Sequence, residues 1–267
     1  MQRVCYILTA IMLAILGCRH GSEPDGSDAG VELKVERYDR VEMQYLTTGD
    51  FSALQQMNTG YSVQTRMLIE DILRIGYVND PDINAKFLNF YQDSTLQCIL
   101  REVGAQYADM DDIDRELSDA FGRLKRILPD VDVPMIYTQI GSLDQSIVVS
   151  DDMLGISLDK YLGSGFPLYL KYYPVSQRAQ MERSMIVPDC MMFYLLSLFP
   201  VPHEEQMAQA EHDVHIGKIQ WVTNRVTGHD AFSGKYISIV DDYMRRNRHM
   251  TMEQLLRKDI CHDIIAR

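Results

Sequence analysis

A pair of histidines with neighbouring acids is the first set of residues that could do chemistry. Glu211, His212 and His215 lie in a stretch that is predicted to be helical, with the two histidines three residues apart. Residues at this spacing lie on one face of a helix and can share a metal ion. With Asp189 or Glu211 as a further ligand, the two histidines predict a metal-dependent peptidase or hydrolase. We keep that function as the alternative.

The spacing of these histidines does not match a hydrolytic zinc motif. In H-E-x-x-H the two imidazoles are four residues apart, and the glutamate beside the first acts as general base. His203 begins such a segment, but Met207 stands where the second histidine is needed, and a thioether does not replace imidazole for zinc. We therefore expect surface histidines, no cofactor and no catalytic residue.

Carboxylates and tyrosines are dense just after a predicted strand, and they form the second candidate site. Three acids so placed could bind a cation or another ligand, and two tyrosines could supply aromatic contacts to a partner. The residues are Asp151, Asp152, Asp159, Tyr161 and Tyr169. The alternative is structural: the first two acids shape a turn, Asp159 caps a helix, and both tyrosines are half-buried.

Two other kinds of site find no support. The acidic run Asp109–Asp114 lacks the glycine at position six and the glutamate at position twelve of a calcium loop, so it predicts a helix start. No G-x-S-x-G sequence occurs, which leaves a serine nucleophile without its usual setting.

The amino terminus fits a lipoprotein signal. An apolar run of 13 residues, Val4–Leu16, follows Arg3 and ends at Gly17-Cys18. The run is too short for the ~20 residues of a membrane-spanning helix. We therefore predict a signal peptide over residues 1–17 and lipidation of Cys18. Each buried methylene of the acyl chains would contribute about 0.8 kcal/mol to bilayer binding.

Composition limits the partners. The full chain carries a formal charge of -12, and removing residues 1–17, which contain one arginine and no acid, gives -13. Nucleic-acid surfaces need lysine and arginine to displace counterions, so we expect no nucleic-acid partner. The expected partners are the bilayer, through Cys18, and envelope proteins.

At most one disulfide could form among the three remaining cysteines, which are Cys98, Cys190 and Cys261. We expect buried thiols at Cys98 and Cys190.

Residues 18–30 are rich in glycine, serine and aspartate and predict a flexible tether, while residues 31–267 predict a single domain. Apolar residues at spacings of three and four indicate that this domain is mainly helical. The predicted helices are 63–75, 92–107, 110–128, 186–199, 203–221, 234–247 and 251–266.

Between residues 131 and 150 the apolar period changes to two. Val131, Val133, Met135 and Tyr137 alternate with other residues, and a β-branched run, Ser146–Ser150, follows a turn-like segment. This pattern predicts a small antiparallel hairpin, with a third strand over residues 153–157. The fold class is therefore α+β, mainly helical.

One block of the chain resembles a known family. Ile147–Gly163, followed by Pro167–Tyr169 and Ile186–Asp189, is similar to the gliding-motility-associated GldB lipoproteins of the Bacteroidota. His215–Lys218 looks like the Gly-Lys element of that family, and Ile239–Met244 agrees with its later helix. The region that follows the Gly-Lys element is shorter here than in family members.

The resemblance implies a mainly helical lipoprotein with a metallopeptidase-like, or zincin-like, architecture whose metal-binding helix need not be intact. It also implies a lipid-anchored envelope location, which we expect to be the outer membrane. Taken with the lipoprotein signal, it predicts a non-catalytic component of a cell-envelope assembly related to gliding-motility and secretion lipoproteins.

Overall fold

A computed structural model describes residues 31–150, 152–202 and 207–265 of the protein. The signal peptide, Cys18, the tether, Asp151 and His203 lie outside these described residues. By its internal contacts, the chain from Val31 onward is one compact unit. Within the described ranges, no helix has both the length and the hydrophobicity needed to cross a bilayer.

The amino-terminal part of this unit is a set of helices. They are α1 (Tyr38–Thr48), α2 (Phe51–Thr59), α3 (Ser62–Arg66), α4 (Ile83–Phe90), α5 (Ser94–Gln106) and α6 (Asp111–Ile127). Helix α6 begins with three acids and ends with Lys125 and Arg126, which suits the helix dipole. Helices α5 and α6 match the predicted ranges to within two residues at each end.

One predicted helix has a different internal geometry. After α3 the chain continues as a π-helical turn, Met67–Ile72, rather than as regular α-helix. A π turn adds residues per turn, so it rotates the apolar stripe relative to the 3.6 period. As a result Val63, predicted for the buried face, is half exposed, whereas Leu68 is fully buried.

Three strands within the described residues form one mixed sheet, and the predicted hairpin is wrong. The strands are β1 (Met135–Gln139), β2 (Ile147–Val149) and β3 (Met153–Ser157), in the order β1-β3-β2. Strand β3 pairs parallel with β1 and antiparallel with β2. The third strand was expected, but it lies between the other two and separates them.

The connection between β1 and β2 explains this order. The backbone N–H groups of Gly141 and Leu143 bind the Asp159 carboxylate, and Ser142 and Leu143 have positive φ angles of 55° and 68°. The turn over residues 141–144, closed by Asp144 N donating to Gly141 O at 3.4 Å, therefore wraps around a buried acid instead of joining two paired strands. Strand β2 instead reverses directly into β3, where Ser150 N donates to Met153 O at 3.0 Å.

The carboxyl-terminal part is again helical. Its helices are α7 (Pro167–Tyr172), α8 (Val175–Arg178), α9 (Ile186–Leu198), α10 (Gln209–Thr227), α11 (Lys235–Arg246), α12 (Met252–Arg257) and α13 (Cys261–Ile265). Helix α10 is central and packs against α6, α9, α11 and α13. The predicted final helix is divided in two, and its capping box at Thr251 and Gln254 is present.

Candidate functional site

Asp159, from the segment Ile147–Gly163, is a buried structural acid. It follows β3 in a short 3-10 turn, Leu158–Lys160, and is fully inaccessible to solvent. Its carboxylate accepts hydrogen bonds from Gly141 N, at 2.7 Å, and from Leu143 N. Burial raises the pKa of Asp159, and these two bonds oppose that shift. The acid holds the loop after β1 and does not cap a helix.

The two tyrosines are buried, in place of the exposed aromatic contacts that the sequence suggests. The Tyr169 hydroxyl donates to the Asp159 carbonyl and accepts from Leu162 N at 3.1 Å, so Tyr169 fixes the chain between them. The Tyr161 hydroxyl donates to Asp189 Oδ2 at 2.8 Å. The fold thus joins Tyr161 to Asp189, 28 residues further along the chain. Asp152 is exposed in the β2–β3 turn.

A cavity of about 560 Å³ opens beside this tyrosine–aspartate pair. Its wall combines acids, a lysine, side-chain amides and apolar groups from the Leu158–Lys160 turn, the segment after α8, and helices α9 and α10. The lining residues are Asp144, Ser146, Lys160, Tyr161, Gln177, Gln180, Met181, Asp189, Met192, Phe193, Gln220, Ala231, Phe232 and Ser233. A volume of this size is typical of ligand sites.

Asp189 is the most unusual group in this wall. It lies in the first turn of α9, is 9% exposed, and burial raises its pKa to about 6. The bond from Tyr161 is the only hydrogen bond that it accepts from the described residues, and none of their cations forms an ion pair with it. At pH 7 Asp189 is therefore a buried, mostly ionised carboxylate without a counter-ion in this part of the chain.

Lys160, in the same wall, has its amine directed elsewhere. Its Nζ donates to Leu143 O at 3.2 Å and lies 4.8 Å from the centroid of the Tyr173 ring. Burial lowers the pKa of Lys160, and the nearby Asp159 carboxylate opposes that shift. The lysine thus supports the loop after β1 and leaves Asp189 unpaired.

The predicted metal ligands do not come together. The described residues contain no group of three or more His, Cys, Asp or Glu side chains that could hold a metal ion. His215 is buried with Nε2 2.9 Å from Phe199 O, His212 Nδ1 lies 3.7 Å from Asp213 Oδ1, and Glu211 Oε1 lies 3.4 Å from His262 Nδ1. Asp189 faces the cavity instead. The metallopeptidase-like architecture implied by the resemblance is therefore not supported.

The Gly-Lys element has a packing role in this fold. A Cβ on Gly217 would lie 3.0 Å from Tyr236 Cβ and 3.1 Å from the Tyr236 carbonyl carbon, so glycine lets α11 approach α10. Lys218 is 1% exposed and donates to the carbonyl of Lys258, at the end of α12. Both residues thus join the carboxyl-terminal helices to α10.

A second cavity, of about 580 Å³, lies near Asp132, Tyr194 and Arg257. Two of its polar side chains already have partners, since the Tyr194 hydroxyl donates to Asp132 O and Arg257 Nε donates to Glu253 at 2.9 Å, and its acids, Asp130 and Asp132, are exposed. No residue of the Tyr161–Asp189 pair reaches it. The cavity beside Asp189 is therefore the stronger candidate for ligand binding.

Several residues of the candidate cavity were not singled out from the sequence. Gln177 and Gln180 lie at and just after the end of α8, whereas Gln220 is on α10 and Phe232 follows that helix, and the four residues share no motif. Asp189 did carry a signal, because it is the one acid within an otherwise apolar run that predicted a buried helix.

The comparisons with known proteins add a family. The sequence model of a family described as gliding motility protein GldB matches residues 19–236, which include every lining residue of the candidate cavity. No curated protein and no solved structure matches the chain.

Proposed function

Because the chain belongs to the gliding motility protein GldB family, we propose that it is a lipid-anchored, non-catalytic component of a cell-envelope assembly. The family match carries the proposal, since it covers most of the chain. The lipoprotein signal ending at Cys18 supports anchoring, and the outer membrane is the proposed location.

The contact with the rest of the assembly is proposed to use the cavity beside Asp189. Two observations support this assignment. Three of the lining residues, Lys160, Tyr161 and Asp189, lie in the segments that carry the family resemblance, and Asp189 leaves bonding capacity unused on the wall. Functional groups of this kind typically converge in a partly apolar concavity.

Anchoring is tested by mass spectrometry of the processed chain. We expect a polypeptide that begins at Cys18 and carries acyl chains, and a Cys18→Ser variant that leaves the membrane fraction. An unmodified thiol at Cys18, or unchanged membrane association of the variant, would contradict the anchor.

Partner binding is tested by site-specific photo-cross-linking in living cells. A photoreactive residue at Gln177, on the exposed rim of the cavity, should give a discrete adduct with an envelope protein. The same residue at Asp119, exposed on α6, is the matched control and should give none. Equal adducts at both positions, or none at Gln177, would count against the assignment.

The metal-dependent alternative is tested by elemental analysis of the same preparation. We expect no stoichiometric zinc. One zinc per chain that is lost in a His212→Ala, His215→Ala double variant would overturn the non-catalytic proposal.

A further inference from the structure

The wall of the candidate cavity contains an acid, Asp189, that forms no ion pair with a cationic side chain of the described residues. Asp189 is 9% exposed and is bonded only by the neutral hydroxyl of Tyr161 within that part of the chain. An ionised carboxylate at this depth is normally paired with a positive group or with several hydrogen-bond donors. The missing positive group can be supplied from the cavity side.

The other charged side chains of the wall do not neutralise Asp189. Lys160 is committed to the Leu143 carbonyl and to the face of Tyr173. Asp144 is exposed and adds a second negative charge to the rim. The charged side chains of the wall thus sum to one negative charge, which favours a cationic ligand.

The remaining lining suits an aliphatic stem that ends in a positive group. Met181, Met192, Phe193 and Phe232 supply thioether and aromatic surface. Long basic side chains bury their methylenes along such surface while the charged head meets a polar partner. Aromatic faces also attract the cation itself.

The rim is suited to a polypeptide. Gln177 and Gln180 are exposed on it, and their side-chain amides make no hydrogen bond to the described residues. A primary amide both donates and accepts, which matches the N–H and C=O groups of an extended peptide. The formal charge of -12 on the chain would, in addition, attract a basic partner over longer distances.

From these contacts we infer that the cavity binds a lysine or arginine side chain presented by a polypeptide segment of a partner, with Asp189 as its counter-ion. This inference rests on the proposed function and names the chemistry of its partner. Tyr161 is the positioning residue, since its hydroxyl holds one carboxylate oxygen and the other accepts no hydrogen bond from the described residues.

The test uses methyl NMR of the full chain, purified in detergent, with ¹³C-labelled methionine methyl groups. Met181 and Met192 line the cavity and serve as reporters, assigned from single Met→Leu variants. The probe is the peptide acetyl-Gly-Arg-Gly-amide. A peptide with citrulline in place of arginine keeps the shape and removes the charge.

We expect saturable shifts of the two cavity methyl groups with the arginine peptide, and binding at least about tenfold weaker with the citrulline peptide. Asp189→Asn should weaken binding of the arginine peptide by a similar factor. This variant keeps an oxygen acceptor for Tyr161, so the fold is retained. Asp119→Asn, which removes the same charge from an exposed site on α6, should bind as the original chain does.

Three results would overturn the inference. The cavity methyl groups could fail to respond to the arginine peptide at about 10 mM, far above a millimolar Kd. Asp189→Asn could bind the peptide as tightly as the original chain. Spermidine could shift these methyl groups more strongly than the peptide, which would indicate a free polyamine as the ligand. None of these results would remove a cross-link at Gln177 in cells, so the proposed function is judged separately.

Discussion

Two sets of buried carboxylates in this protein differ in how their oxygens are used. In the first set, the carboxyl groups bind the chain that follows β1. Asp159 accepts hydrogen bonds from Gly141 N and Leu143 N, and Glu42 accepts one from Ile140 N at 2.9 Å. At the cavity, Asp189 meets only the Tyr161 hydroxyl among the described residues. Acids of the first set complete the fold, and the acid at the cavity is left available. Bonding capacity that the fold does not use separates a binding group from a structural one.

The largest expected effect comes from removing a structural acid. Asp159→Ala leaves the buried N–H of Gly141 and the half-buried N–H of Leu143 without an acceptor, and each such loss costs about 1 to 3 kcal/mol. We expect a decrease of about 4 kcal/mol in the free energy of unfolding, measured by urea denaturation.

Two further variants make that measurement specific. Asp159→Asn keeps one carbonyl oxygen and should show about half of the loss. Asp152→Ala, in the exposed turn between β2 and β3, should change stability by less than about 0.5 kcal/mol. A loss below about 1 kcal/mol for Asp159→Ala would mean that the loop reaches other acceptors.

The next expected effect is a gain in the free energy of unfolding, and it concerns substitution of Asp189. Its pKa is raised to about 6 in the folded state from an ordinary value of 3.8. Below pH 3.8 the group is protonated in both states and contributes nothing. As pH rises toward 6, the unfolded chain gives up the proton that the folded chain keeps, so stability falls. Above pH 6 the loss is complete, at about 3 kcal/mol.

Asp189→Asn should therefore be more stable than the original chain by up to about 3 kcal/mol at pH 7 to 8. The advantage should shrink as pH falls from 6 to 3.8, because the original chain regains its proton there. Urea denaturation across this pH range measures it, with Asp119→Asn as the charge-matched control. A variant that gains stability and loses ligand binding would show that this acid is kept for binding; a destabilised variant would contradict that interpretation.

The sequence predicts several helices of this fold closely, and the reasons are local, although it places α10 over residues 203–221 instead of Gln209–Thr227. The ranges of α5, α6, α9 and α11 follow from apolar spacing and from residues that stop helices, and the capping box at Thr251 follows from its own four residues. Strand order does not follow in this way. It depends on Asp159 binding a loop 16 to 18 residues earlier, which no short pattern encodes.

The candidate site is partly predictable for the same reason. Asp189 stands out because it is the one acid within the apolar run of α9, and Tyr161 lies in the segment Ile147–Gly163 that carries the family resemblance. That the two side chains meet, and that Gln220 and Phe232 complete the wall, depends on the packing of α9 and α10. The burial of Glu42 could not be predicted from the sequence, since charged neighbours on α1 make its segment resemble an exposed helix.

The smallest expected effect concerns Glu42 and the proton that it carries. The Tyr91 hydroxyl lies 2.5 Å from Ile140 O and 3.3 Å from Glu42 Oε1, and it has one hydrogen to give. Because the shorter contact takes that hydrogen, the longer one is satisfied when Glu42 is protonated and donates to the tyrosine. Burial, with the Asp39 and Asp159 charges, raises the pKa of Glu42 in agreement with this arrangement.

Glu42→Gln should then be nearly neutral, within about 1 kcal/mol at pH 7, because an amide reproduces both the donor to Tyr91 and the acceptor for Ile140 N. The variant should also lose part of the pH dependence of stability. In the original chain, stability declines as pH rises above the ordinary glutamate pKa, since only the unfolded state releases the proton. A Glu42→Gln chain destabilised by more than about 2 kcal/mol would instead indicate an ionised Glu42 and unused bonding capacity in the first set.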